Sequence, residues 1–136
     1  MGGLRWRQAG VAAAWLLVAV IAWAAPGDAD KKRRAPPEVP PVVVNGMRYE
    51  APLLGQPYGY AQDGGIVVAR RADTGALDWT RRVYDVVRDA AMEGDKQDVF
   101  IERMTLSPDR RRLLIFNEHG HIFELNLDGS GLRVRR

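Results

Sequence analysis

Residues 99–127, VFIERMTLSPDRRRLLIFNEHGHIFELNL, decide how this 136-residue chain folds. Apolar side chains recur there at alternate positions, and the runs are cut by Ser107-Pro108-Asp109-Arg110 and by Glu118-His119-Gly120. Proline presets the second position of a β-turn, and glycine tolerates the left-handed backbone that tight turns need. The reading is three strands, residues 99–106, Arg112–Asn117 and 121–127, with Asp128-Gly129-Ser130-Gly131 turning the chain toward a fourth at residues 132–135. Phe123, Leu125 and Leu127 share one side of their strand, which makes that side the core face and leaves Glu124 and Asn126 outward. Connections this short join neighbouring strands, so an antiparallel meander is expected.

The same period of two extends upstream to Val42. Val42-Val43-Val44-Asn45-Gly46-Met47-Arg48-Tyr49 is a hairpin, because Asn-Gly supplies both positive-φ positions of a type I′ turn. That turn pairs Val44 with Met47 and Val42 with Tyr49 on one apolar face, with Val43 and Arg48 opposite. Pro52, Gly55, Pro57, Gly59 and Gly64-Gly65 then break the chain into turns, with Tyr58 and Tyr60 read as one side of a short strand. A second hairpin runs through Ile66–Arg71, a turn at Asp73-Thr74-Gly75, and residues 77–83. Its first strand carries the unbroken apolar run Ile66-Val67-Val68-Ala69, which suits a strand covered on both faces. Trp79 is expected in the core.

Residues 85–98 break the pattern. Val87, Ala90, Ala91 and Gly94 have helical spacing and Asp85 can cap a first turn, so the segment reads as one short helix or an acidic loop insertion. Asp89, Glu93, Asp95 and Asp98 crowd together there, but without the D-x-D-x-D-G spacing of a specific calcium loop.

The N-terminus has the layout of a secretory signal. Arg5 and Arg7 precede an uncharged apolar run over residues 11–23, and Ala22-Trp23-Ala24 offers a cleavage site, so residues 1–24 are expected to be a signal peptide. The alternative is an uncleaved anchor at residues 11–25, a run short of the roughly 18–20 apolar residues that cross a bilayer core. Residues 25–41 read as a disordered linker: Pro26 to Pro41 hold five prolines and the four consecutive cations Lys31–Arg34, with almost no large apolar side chain. Residues 42–136 are then one small β domain, exported to the periplasm or beyond.

Charge and cysteine usage narrow the chemistry. Removing Arg5 and Arg7 with the leader takes the 20 basic residues to 18 against 17 acidic, a net +1, which does not suggest nucleic acid as a partner. There is no cysteine, hence no disulfide, thiol nucleophile or thiolate metal site.

Two motifs carry a resemblance. Asp73-Thr74-Gly75 followed by Trp79 resembles the D-x-x-T-G-x-x-x-W turn and strand of pyrroloquinoline-quinone-type β-propeller repeats, although Arg70-Arg71 stand where those repeats carry an aspartate. Leu106-Ser107-Pro108-Asp109 with Arg112–Ile115 is similar to the SPDG turn of WD-type blades, with Arg110 in place of the glycine. The region also resembles short exported bacterial proteins containing one such repeat. The resemblance implies propeller-blade-like hairpins and no known activity. A closed propeller needs about four to eight blades of roughly 40–45 residues. The β domain is long enough for about two, so no quinone cofactor or other cofactor is expected.

No catalytic, cofactor or metal site is expected either. Ser107 and Ser130, the only serines, fall in turns. The only histidines, His119 and His121, flank Gly120, and a metal site there would need Glu118 or Glu124 to join them. A sheet that stops short of closure has open edges that invite another strand. The function expected is therefore a non-enzymatic module that binds another envelope protein or itself through its sheet edges, touching membrane only through an uncleaved N-terminus. Its alternatives are a stand-alone structural repeat and a metal-dependent enzyme. Arg70-Arg71, Arg81-Arg82 and Arg110–Arg112 would then serve either recognition or edge protection.

Overall fold

A computed structural model describes residues 35–94 and 97–135; the expected signal peptide or anchor, the first part of the expected linker, Asp95, Lys96 and Arg136 lie outside the described residues. Among the described residues the fold is mainly β, two four-stranded antiparallel meanders with almost no helix, and neither sheet closes into a barrel. Sheet 1 comprises β1 (Val42–Val44), β2 (Met47–Glu50), β3 (Ile66–Arg71) and β4 (Leu77–Arg82), in that order. Sheet 2 comprises β5 (Ile101–Leu106), β6 (Arg112–Asn117), β7 (Ile122–Asn126) and β8 (Arg133–Arg135).

Local turn chemistry sets the registers. Asn45 and Gly46 sit at φ 53° and 73°, the left-handed pair of a type I′ turn, and place Val44 opposite Met47 and Val42 opposite Tyr49. At the β5–β6 turn the Ser107 hydroxyl accepts from the Arg112 amide at 3.0 Å, and the Asp109 carboxylate accepts from the Arg111 amide at 3.1 Å. At the β6–β7 turn the buried Asn117 side chain accepts from the amides of both His119 and His121. Ser130 caps the last turn by donating to Asp128, through its amide at 2.9 Å and its hydroxyl at 2.6 Å. Both serines are thus occupied in turns, as their positions implied.

Once the turns fix register, alternation delivers one apolar face per sheet, and the two faces share a single core. Val44, Tyr49, Val67 and Ala69 from sheet 1 pack with Ile101, Met104, Leu113, Ile115, Phe123 and Leu125 from sheet 2. The Tyr49 hydroxyl, carried into this layer, donates to the Leu127 carbonyl of the other sheet at 2.9 Å. Trp79 is half-buried at the margin of the core, its ring 5.9 Å from that of Tyr49. Gly129, at φ 82°, lies under it: a Cβ there would stand 2.9 Å from the indole.

All four residues of the Ile66–Ala69 run are fully buried. Val67 and Ala69 face the common core, while the opposite side of β3 is covered by the 51–64 segment, where a Cβ at Gly55 would come within 2.6 Å of the Ile66 side chain. That segment forms a 3-10 turn at Gln56–Tyr58 and not the short strand expected around Tyr58 and Tyr60. Pro57 explains the difference, since it lacks the amide a ladder needs and favours the first turn of a helix. Tyr60 still faces sheet 1, with its hydroxyl 3.0 Å from that of Thr80.

Residues 85–98 take the loop form of the insertion; no α-helix forms among the described residues there. Val87, which a helix would have turned inward, is 87% exposed, so no core contact offsets the cost of starting a helix. The loop is tied by Gln97, whose amide donates to the carbonyls of Asp89, Met92 and Glu93. Upstream, Val39, placed by sequence within the linker, packs against the core.

Candidate functional site

A cleft of about 410 Å³ opens where the 84–99 segment passes the β6–β7 turn. Its floor is aromatic: Tyr84 stacks on Phe123 at 5.1 Å between ring centroids, 27° between planes. Tyr84 is positioned from three sides. Its hydroxyl donates to the Val99 carbonyl at 2.8 Å, its own carbonyl accepts from the buried Gln62 side chain at 2.8 Å, and its ring lies where a Cβ on Gly65 would intrude at 2.7 Å. Gly65 is at φ 69°, so both the backbone conformation and the close approach require glycine. Burial raises the Tyr84 phenol above its ordinary range, and the nearby Glu118 carboxylate pushes the same way. The hydroxyl is thus a neutral donor and not a base at ordinary pH.

The wall of the cleft brings the two histidines together. His119 and His121 both line it, with rings 6.2 Å apart and nearly edge-on, and His121 stands edge-on to Phe123 at 6.5 Å. Gly120 at φ 77° lets the chain reverse between them. The carboxylates that would complete a metal site are engaged elsewhere. Glu118 accepts from the Phe100 amide at 2.9 Å, and Glu124 pairs with Arg112 at 3.2 Å and Arg135 at 3.8 Å. Asp98 lines the cleft but is buried against Arg88.

The acidic segment is likewise dispersed. Asp85 pairs with Arg82 at 3.0 Å, and the Asp89 carboxylate accepts from the Ala91 amide. Among the described residues, no group of three or more His, Cys, Asp or Glu side chains is placed to hold a metal ion. The cleft offers two imidazoles, a neutral phenol held by backbone and an aromatic floor, which suit contact with a planar or apolar group.

Sequence reasoning missed Tyr84 and Gln62. The available signal was Gly64-Gly65, read as a turn; a pair of left-handed glycines also marks a close approach, here of the Tyr84 ring.

The sheet edges form the other candidate surface. Among the described residues β1, β4, β5 and β8 each pair on one side only, and Arg133, Val134 and Arg135 are exposed along the whole of β8. No protein-family model matches the chain, and no curated protein does. Among the described residues no helix is long and apolar enough to cross a membrane.

Proposed function

We propose that the chain is a non-enzymatic module of the bacterial envelope that binds a partner protein by accepting a strand at an open sheet edge. The observation that carries this reading is β8, a solvent-exposed strand that pairs only with β7 among the described residues and has the pattern Arg133-Val134-Arg135. A vacant edge presents backbone donors and acceptors in strand register, and an added strand satisfies them. Charge selects among partners. Two copies of β8 laid side by side would set arginine near arginine, and like charges on facing strands destabilise the pairing. The partner strand is therefore an acidic one, with a carboxylate against Arg133, a second that competes with Glu124 for Arg135, and an apolar residue against Val134. The envelope location rests on the leader-like residues 1–24.

Affinity capture from an envelope extract tests this, with wild type beside the double charge reversal Arg133→Glu/Arg135→Glu. A discrete protein held by wild type and lost by the variant is the expected result. Capture of nothing, or of the same proteins by both, would sink the reading.

A further inference from the structure

A second cleft of about 410 Å³ lies at the turn end of sheet 2, away from the histidines, and Arg110, Arg111 and Arg112 line it together with Asn45. Arg112 is committed to Glu124 at 3.2 Å. Arg110 and Arg111 are exposed and have no ion-pair partner among the described residues. The one carboxylate in the lining, Asp128, accepts from the Ser130 amide and hydroxyl, which hold its pKa below the ordinary carboxylate range and keep it anionic, so the lining sets three arginines against one carboxylate. The backbone around the arginines is fixed by its own turn: the Arg110 amide donates to the Ser107 carbonyl at 2.8 Å, and the Arg111 amide to Asp109 at 3.1 Å. The turn fixes the backbone that carries both guanidiniums, and the Asp109 carboxylate that also attracts Arg111 lies outside the lining.

A second observation points the same way. Arg110 sits at φ 57°, in the left-handed region where a residue with a Cβ is strained and glycine is not. The chain keeps a long cation at a position whose backbone favours glycine. Strain of this kind concentrates where a side chain has work to do.

From these we infer that the Arg110–Arg111 cleft is a binding site for a phosphate group, whose oxygens the two guanidiniums take as charge-assisted hydrogen-bond acceptors. The site is independent of the β8 edge and of the partner protein proposed for it. Phosphate chemistry has two sources, a soluble phosphate and the headgroup of an anionic lipid, and the experiment separates them.

The full chain is titrated calorimetrically with inorganic pyrophosphate and, in parallel, sedimented with vesicles of phosphatidylglycerol or of phosphatidylcholine. Wild type is compared with Arg110→Gly, Arg111→Ala and, as a control with the same loss of charge, Arg103→Ala, an exposed arginine outside the cleft and outside the β8 edge. Arg110→Gly relieves the left-handed strain, so its folding is not at risk. The expected result is binding that weakens about ten-fold or more in each cleft variant and stays near wild type in Arg103→Ala. Binding of pyrophosphate alone assigns a soluble ligand; sedimentation with phosphatidylglycerol but not phosphatidylcholine assigns a headgroup. Absence of binding to both probes, or an equal loss in Arg103→Ala, overturns the inference.

Discussion

Gly129 shows at residue scale how the two meanders depend on each other. It combines a φ of 82° with the approach of Trp79, so a methyl group there meets both backbone strain and the indole. Gly129→Ala is expected to destabilise the fold by about 1–3 kcal/mol, read from urea unfolding. Tyr49→Phe removes only the hydroxyl that donates to the Leu127 carbonyl, and a loss of about 1 kcal/mol is expected in the same assay. Tyr84 gives a pH dependence with a definite sign. Its phenol is raised in the folded chain, chiefly by burial, whereas in the unfolded chain it ionises near the ordinary value of about 10. Below that pH both states hold the proton and the group contributes no slope. Above it the unfolded chain sheds the proton first, so stability falls as pH rises. Unfolding midpoints measured from neutral to strongly alkaline pH should show this fall, and it should be shallower in Tyr84→Phe. Asn45 and Gly46 were legible as a turn because their dipeptide has one dominant backbone solution. Tyr84 was not, because its role comes from Gly65, Val99 and Phe123, which sequence does not place beside it.

Strands were the most legible elements. Ile66–Arg71 and Arg112–Asn117 match their sequence reading end for end, and β4, β5, β7 and β8 are shorter by one or two residues at an end. What alternation implies for β6 can be tested directly. Leu113 and Ile115 are fully buried, while Leu114 and Phe116 on the other face are half-buried, with the Arg103 guanidinium 3.9 Å from the Phe116 ring centroid. Ile115→Ala should cost about 2–5 kcal/mol. Leu114→Ala should cost well under that, and equal costs in denaturant unfolding would mean that the wrong face had been assigned to the core. The short strand expected at Tyr58 and Tyr60, and the helical spacing of residues 85–98, show where pattern gives out. One lost to Pro57, the other to the lack of any surface that would bury Val87.

At the scale of the molecule, a common core explains how a domain without disulfides holds two small sheets, each too thin to shelter its own apolar face. That the chain makes a meander was written in its turns. That it makes two sheets sharing a core was not, because alternation states which face is apolar and is silent on what covers it. For the same reason His119 and His121 were legible as neighbours, while the cleft they line with Tyr84 and Asp98 required the fold. The proposed partner strand is received by β8, which pairs only with β7 among the described residues. Site-specific photo-crosslinking in cells tests it most directly, with the reactive group at Val134 on the open strand and, as control, at Val87 on the exposed loop. A discrete heavier adduct from position 134, absent from position 87, is the expected result. No adduct at 134, or the same adducts from both positions, would contradict the account.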